Sequence, residues 1–151
     1  MLSYTETMKI LFVCHSNIGR SQMAKAFYNN LTNSRDADAA GTEVKEAGQT
    51  LLERKATSDS KNFFLLDVMN DIGYDLSDAT RDQLIQDKLP LYDWVISMAS
   101  PNVSPEWLLK APNYIYWDVK DPRGQNYEIT ATVRDDVLQR VERLIETKSP
   151  N

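Results

Sequence analysis

A cysteine and an arginine separated by five residues are the first residues whose types and spacing suggest chemistry. Cys14 and Arg20 bound the segment Cys14-His-Ser-Asn-Ile-Gly-Arg20, and Ser21 follows directly. A guanidinium group can bind two oxygens of a tetrahedral oxyanion with its planar fork. A thiolate held beneath such an anion is a nucleophile aimed at the central atom. The pattern predicts covalent chemistry on a phosphate-like group, although the spacing alone also arises by chance around a cysteine that is simply buried.

The elements on either side of this segment are suited to position it. Met8 to Val13 is a nearly continuous apolar run, which predicts a buried strand of a parallel sheet. Cys14 to Arg20 then predicts a loop, and a helical pattern begins at Ser21. The apolar residues of this helix recur four residues apart, at Met23, Phe27 and Leu31.

Such a loop enters a helix N-terminus, where backbone N–H groups converge on an anion and the helix dipole adds favourable potential. This environment also favours the thiolate form of Cys14. We therefore expect an oxyanion to be bound by the loop residues together with the arginine, namely His15, Ser16, Asn17, Ile18, Gly19 and Arg20.

The rest of the chain alternates between strand and helix patterns. Further strands are predicted at Asp38–Ala40, Trp94–Met98 and Tyr114–Trp117. Helices are predicted from Phe64 to Ile72 with Gly73 as the C-terminal cap, from Thr80 to Leu89 with Pro90 ending it, and from Thr132, where Thr132-Val-Arg-Asp135 resembles a capping box. Gly41-Thr42 and Lys120–Gly124 have turn composition, and residues 42–61 show no clear pattern.

This alternation predicts an α/β fold with three layers, α/β/α, around a central and mainly parallel sheet of four strands. Ligands of such folds bind at the carboxyl ends of the strands, which is where Cys14 follows the first strand. No repeat, low-complexity tract or linker interrupts the chain, so residues 1–151 are predicted to form a single domain.

Composition narrows the function classes. The net charge is −5 and no run of Lys and Arg forms a stripe, which argues against nucleic acid as the main partner. No stretch approaches the roughly 20 apolar residues of a membrane span, and Met1–Thr7 lacks the apolar centre of a signal peptide. We therefore expect a cytoplasmic protein that does not bind membranes. One cysteine and one histidine preclude an intramolecular disulfide and argue against a zinc site.

The segment Ile-Leu-Phe-Val-Cys14-His-Ser-Asn17-Ile-Gly-Arg20-Ser21-Gln-Met-Ala24 closely resembles the start of the low molecular weight protein tyrosine phosphatases and of the related arsenate reductases. The resemblance continues through Ala40-Gly-Thr42, Val95-Ile-Ser-Met98 and Asp121-Pro122, and so covers most of the chain. It implies a four-stranded phosphatase fold and hydrolysis of a phosphorylated protein or small molecule through a phosphocysteine, without a cofactor or metal.

The same resemblance implies roles for individual residues. Cys14 would be the nucleophile, Arg20 would bind the oxyanion, Ser21 would hydrogen-bond the thiolate and Asn17 would hold the loop in shape. Asp121 would be the general acid. Chemistry alone supports the last role, since a departing alkoxide needs a proton and the resulting carboxylate can activate water. Taken without the family, Asp121-Pro122 is more simply a turn.

Three positions depart from the family pattern. Ser16 stands where the family usually has Gly, and Gly19 where it often has a second Cys that can protect the nucleophile from oxidation. Arg123 stands where many phosphatases have an aromatic residue after Asp-Pro, which leaves phosphotyrosine preference open. Arg123 would either attract a further anionic group or be a solvated loop residue. A protonated His15 would favour the thiolate, but we expect its side chain to point away from the anion.

Two other functions remain open. Trp117-Asp-Val-Lys-Asp121-Pro-Arg-Gly124 resembles the thioredoxin-coupled arsenate reductases, whose mechanism relays oxidation through two further cysteines. The first of these aligns near Ala99, and this chain has no second cysteine, so only arsenate reduction with an external thiol is possible. The third function is a catalytically silent regulatory module that binds oxyanions, for which Ser16 and Arg123 are the only support.

Overall fold

Four parallel strands form the centre of the molecule. The computed structural model describes residues 8–57 and 62–151, so the expectation about Met1–Thr7 lies outside the described residues. The strands are β1 (Ile10–Cys14), β2 (Ala37–Gly41), β3 (Trp94–Ser97) and β4 (Tyr114–Tyr116), in the order β2-β1-β3-β4. The predicted parallel sheet of four strands is thus confirmed.

Helical elements cover both faces of this sheet. The α-helices are α1 (Arg20–Thr32), α2 (Leu51–Ala56), α3 (Leu65–Asn70), α4 (Glu106–Leu109) and α5 (Tyr127–Thr147), and 3-10 turns occupy Gln86–Leu91 and Pro101–Val103. On one face α1, α3 and α5 pack against Ile10 and Phe12 of β1. On the other face Leu89 and Leu108, from a 3-10 turn and α4, pack against Val13. The alternating side chains of β1 therefore contribute to two separate cores.

The boundary between β1 and the loop differs slightly from the prediction. Cys14 is the last residue of β1 and pairs with Gly41, which is the last residue of β2 rather than part of a turn. Helix α1 begins at Arg20, one residue early. Met23 and Phe27 are fully buried on it, but Leu31 is 45% exposed. Eight residues at about 100° each turn Leu31 roughly 80° away from Met23, so it leaves the buried face.

The predicted helix at Phe64–Ile72 is shorter in the structure, where α3 ends at Asn70 and Ile72 is exposed. Gly73 has φ +89°, and the N–H of Tyr74 donates to the carbonyl of Met69 at 2.9 Å. A left-handed residue that closes a helix in this way is usually Gly, so the predicted role of Gly73 is confirmed.

The prediction of a helix from Thr80 to Leu89 ended by Pro90 is wrong. Thr80 forms an isolated bridge with Thr50, Gln83 forms one with Gly41, and the only helical part is a 3-10 turn that includes Pro90. The N–H of Asp82 donates to the side-chain oxygen of Asn17 at 2.7 Å. Because these backbone groups already have partners far away in sequence, they are not free for a helix.

The last helix begins five residues before the predicted Thr132. The Asn126 side chain caps it by accepting a hydrogen bond from the N–H of Ile129 at 2.9 Å. The Thr132 hydroxyl instead donates to the carbonyl of Glu128 inside α5. The predicted capping box at Thr132 is therefore wrong, because an earlier and better-placed cap starts the helix.

Residues 42–61 show no clear pattern in the sequence. The structure describes this segment as far as residue 57, and α2 lies within that part. Here the capping box is real: the Thr50 hydroxyl accepts from the N–H of Glu53 at 3.1 Å, and the Glu53 carboxylate accepts from the N–H of Thr50 at 3.0 Å. Within the described residues, no helix is both long and apolar enough to cross a membrane.

Gly41 is where β2 comes closest to the loop after β1. A Cβ at Gly41 would lie 2.8 Å from the N atom of Asn17 and 2.8 Å from the carbonyl O of His15. Both are backbone atoms, which cannot move away cheaply. The loop between β1 and α1 therefore depends on the absence of a side chain at this position.

We predict that Gly41→Ala lowers the free energy of unfolding by about 2–4 kcal/mol, since the loop or β2 must shift to admit the methyl group. Gly73→Ala is the matched control. Its φ of +89° disfavours alanine, but its Cβ would meet nothing within 4 Å, so we expect a loss of about 1 kcal/mol. Urea denaturation of both variants measures the difference. Equal losses would mean that the contact at Gly41 does not constrain the loop.

Candidate active site

The segment from Cys14 to Ser21, called here the Cys14–Ser21 loop, crosses the carboxyl edge of the sheet between β1 and α1. Cys14 ends β1, and its neighbours in the sheet are β2 and β3. The residue is only 3% exposed. The strand–loop–helix arrangement places the thiol beneath the N-terminus of α1, as the sequence predicts.

Asn17 determines the shape of the loop. It is fully buried and has φ +54°, a left-handed conformation that asparagine tolerates better than most residues. Its side-chain oxygen accepts hydrogen bonds from the N–H of Asp82 at 2.7 Å and from Gln22 Nε2 at 3.1 Å. Its amide nitrogen donates to the hydroxyl of Ser21 at 2.8 Å. Because the oxygen already accepts two donors, the orientation of the amide group is fixed.

The Ser21 hydroxyl lies between Asn17 and Cys14. Its oxygen accepts from Asn17 and is 3.0 Å from Cys14 Sγ. A hydroxyl has a single hydrogen, and the hydrogen of Ser21 is free to point at the sulfur. The chain of bonds Asn17→Ser21→Cys14 therefore provides a hydrogen-bond donor for a Cys14 thiolate, which stabilises the charged form.

Arg20 connects the loop to the ends of β3 and β4. Its side chain is buried, and Nη1 donates to the carbonyl of Met98 and, at 3.0 Å, to the carbonyl of Val119. Nη2 lies 3.6 Å from Oδ2 of Asp121. These contacts hold a guanidinium group at the floor of the site, in the position from which its fork can face an oxyanion.

Asp121 lies at the mouth of the loop, where the sequence predicts it. Its side chain is 54% exposed, and Oδ1 accepts the N–H of Arg123 at 3.0 Å. This short turn fixes one oxygen and leaves Oδ2 facing Arg20. The next residue also contacts the loop, because a Cβ at Gly19 would lie 3.5 Å from Cγ of Pro122. The carboxyl group is therefore both near Arg20 and accessible to water.

The remaining predicted loop residues have different surroundings. The His15 imidazole lies beside the Thr42 hydroxyl at 3.3 Å and the Glu43 carboxylate at 3.6 Å. Ile18 packs partly against the core, and Gly19 precedes the first turn of α1. The carbonyl of Ser16 accepts hydrogen bonds from Arg81, so this oxygen is held by a residue outside the loop.

Sequence reasoning missed Arg81 and Gln22. Arg81 is buried and donates through Nε and Nη2 to the carbonyl of Ser16 at 3.2 and 3.1 Å, and through Nη1 to Gln49 at 2.8 Å. Burial lowers the pKa of the Arg81 guanidinium, and the neighbouring charges of Arg54 and Arg123 lower it further. A carbonyl turned outward to Arg81 leaves neighbouring loop N–H groups free to face inward. The polar stretch containing Arg81 gave no signal of this burial.

A cavity of about 490 Å³ opens above Cys14. The Cys14–Ser21 loop and Arg20 form its floor, and Asp121, Pro122 and Arg123 form one side. The rest of the lining includes residues of α2 and the residues that lead into α3, among them Arg54, Phe63 and Phe64. Across the part of the chain that the structure describes, no cluster of three or more His, Cys, Asp or Glu side chains could hold a metal ion.

The sequence and the fold both match known proteins. Residues 9–149 match the family model described as low molecular weight phosphotyrosine protein phosphatase. A glutaredoxin arsenate reductase from Synechocystis sp. is 33% identical over 140 residues, which cover 91% of this chain and 95% of that protein. A solved arsenate reductase in the phosphate-binding state is 31% identical, with a TM-score of 0.69, and the match covers 94% of this chain and 99% of the other.

A second solved structure shares the fold at lower identity. The low molecular weight protein tyrosine phosphatase from T. tengcongensis has a TM-score of 0.71 at 24% identity, and the match covers 93% of this chain and 99% of that chain. The similar proteins thus include both phosphatases and arsenate reductases.

We predict that Ser21→Ala lowers the free energy of unfolding by about 1–3 kcal/mol, because the buried amide of Asn17 loses the hydroxyl that accepts its hydrogen bond at 2.8 Å. Urea denaturation of the wild type and the variant measures the difference. An unchanged free energy of unfolding would contradict the role of Ser21 as the acceptor of the Asn17 amide.

Proposed function

The chain belongs to the low molecular weight phosphotyrosine protein phosphatase family, and we propose that it hydrolyses phosphate monoesters through a phosphocysteine intermediate. The observation that carries this proposal is the position of Asp121. Its carboxyl group lies beside Arg20 at the mouth of the loop that ends β1 at Cys14. Nucleophile, oxyanion-binding group and proton donor thus face one cavity.

In the first step, the phosphate group binds to the loop N–H groups and to the Arg20 guanidinium. The Cys14 thiolate attacks phosphorus, and the bond from phosphorus to the ester oxygen breaks. Asp121 gives its proton to the departing oxygen, so that an alcohol or phenol leaves.

In the second step, the Asp121 carboxylate takes a proton from a water molecule whose oxygen attacks phosphorus. The bond between sulfur and phosphorus breaks, inorganic phosphate leaves, and Cys14 returns as a thiolate. The Ser21 hydroxyl, 3.0 Å from the sulfur, stabilises the negative charge on this leaving group. The exposure of Asp121 suits this step, because water must reach its carboxylate.

The second candidate is arsenate reduction with an external thiol, favoured by the arsenate reductases among the similar proteins. Cys14 would displace one oxygen of arsenate as water, and an external thiol would then attack the sulfur of the adduct. Arsenic(V) would be reduced to arsenite while the two thiols are oxidised to a mixed disulfide. The second thiol must come from another molecule, because Cys14 is the only cysteine of the chain.

The deciding experiment compares an aryl phosphate with arsenate on the same preparation. Arsenate is supplied once with a small-molecule thiol and once with glutaredoxin. Turnover of the ester, lost in Cys14→Ser, together with a phosphorylated Cys14 trapped by acid quenching, supports the phosphatase. Arsenite formation without ester hydrolysis would replace it with the reductase. The absence of both activities, with phosphate still bound, would indicate a silent module that binds oxyanions.

We predict that Asp121→Asn slows hydrolysis of alkyl phosphates by about 10²–10⁴-fold but slows esters of acidic phenols much less, since an activated phenolate departs without a proton. The measurement is kcat for a series of esters of graded leaving-group acidity. Asp118→Asn is the matched control, because Asp118 is an exposed carboxylate three residues away that pairs with the Tyr116 hydroxyl. Equal slowing across the series would contradict the acid role of Asp121.

A further inference from the structure

Part of the cavity wall carries side chains that the proposed phosphate-ester hydrolysis does not use. Arg54, in the last turn of α2, and Phe63 line the cavity on this side. The guanidinium carbon of Arg54 lies 5.7 Å from the centroid of the Phe63 ring. This cation–π contact holds the arginine along the wall and leaves its N–H donors available at the edge of the cavity.

Arg123 faces the same cavity from the Asp121 side. Neither Arg54 nor Arg123 has a carboxylate within 4.0 Å among residues 8–57 and 62–151, whereas Arg20, Arg134 and Arg140 each have one. The side chain of Arg123 is exposed and that of Arg54 is half-buried. Two guanidinium groups therefore lie at the rim of the cavity without an acidic partner in the described protein.

A second depression adjoins the first and shares these two arginines. Arg54 and Arg123 line it together with Lys45 and the buried Arg81, while Glu43 and Glu46 are its acidic residues. Arg54, Arg81 and Arg123 therefore line one depression. Its four basic side chains outnumber the two acidic ones, so its net charge is positive and an incoming anion is favoured here.

We propose that Arg54 and Arg123 form a second anion-binding subsite that recognises carboxylates next to the phosphorylated residue of a peptide substrate. The inference rests on the proposed phosphatase activity and adds a preference for acidic sequence around the phosphotyrosine. The phosphate occupies the Cys14–Ser21 loop, and the tyrosine ring passes between Phe63 and the Asp121 side of the cavity. A peptide suits the subsite better than a compact ester does, because the arginines lie at the rim and continue into the second depression.

The test uses two phosphotyrosyl peptides of equal length, one with Asp and Glu beside the phosphotyrosine and one with Asn and Gln. We expect the wild type to prefer the acidic peptide about tenfold in kcat/KM, equal to about 1.4 kcal/mol, with most of the difference in KM. Added salt should reduce the preference, because exposed charges are screened. In the double variant Arg54→Gln, Arg123→Gln the two peptides should react equally.

Arg35→Gln is the matched control for the change in net charge. Arg35 is exposed and precedes β2, at the opposite end of the sheet from the loop, so the preference should remain. Measurable but equal rates for the two peptides in the wild type would overturn the subsite. So would a preference that survives in the double variant or disappears in Arg35→Gln.

A binding measurement distinguishes failure of the proposed subsite from failure of the proposed phosphatase activity. The Cys14→Ser variant cannot form the phosphocysteine, so its dissociation constants for the two peptides are measured without turnover. A preference of about tenfold that is lost on adding Arg54→Gln and Arg123→Gln supports the subsite even if the wild type hydrolyses neither peptide. Equal affinities, or no binding of either peptide, would overturn it whatever the outcome of the activity assay.

Discussion

The buried amide of Asn17 is the contact on which the geometry of the site depends. It lies at the one left-handed residue of the Cys14–Ser21 loop and connects two other parts of the chain, the start of α1 at Ser21 and Gln22 and the distant residue Asp82. A loop that surrounds an anion must turn its N–H groups inward, and its carbonyls then need donors on the outside. Arg81 donates to the carbonyl of Ser16 and Gln22 to the carbonyl of Asn17, so these two side chains supply the outer donors, while the Asn17 side chain fixes the turn between them. Gly41 completes the arrangement by letting β2 approach the loop backbone.

Few groups in the site contact the positive charge of Arg20. Arg20 is a buried cation whose partners are two carbonyls at the ends of β3 and β4 and the carboxylate of Asp121. Carbonyl dipoles satisfy the guanidinium N–H groups without neutralising the charge, so the positive potential needed for a thiolate and an oxyanion is preserved. Asp121, whose side chain is 54% exposed, is the carboxylate that contacts Arg20, so this negative charge lies on the solvent side of the guanidinium.

The sequence predicts those parts of the fold and of the site that depend on residues close together in the chain. The apolar run of β1, the spacing from Cys14 to Arg20 and the periodicity of α1 are all contained within about two dozen consecutive residues. The stretch from Thr80 to Gln83 was misjudged because its partners, Thr50, Gly41 and Asn17, are more than 25 residues away. For the same reason the burial of Arg81 could not be foreseen, since its partner is the backbone oxygen of Ser16. The start of α5 was misplaced because two capping candidates compete within six residues, and geometry selects Asn126.

The two candidate reactions differ in whether this chain alone can return Cys14 to its starting thiolate. Phosphate-ester hydrolysis consumes only water and returns Cys14 as a thiolate, and the groups it needs are Arg20, Ser21 and Asp121, which all face one cavity or its floor. Arsenate reduction leaves Cys14 oxidised in every cycle, and a chain with one cysteine cannot complete the exchange that restores it. A partner thiol would have to enter the cavity past Arg54 and Arg123. The protein's own atoms therefore complete a phosphatase cycle but only half of a reductase cycle, which is why the phosphatase is the proposal that needs the fewest additional components.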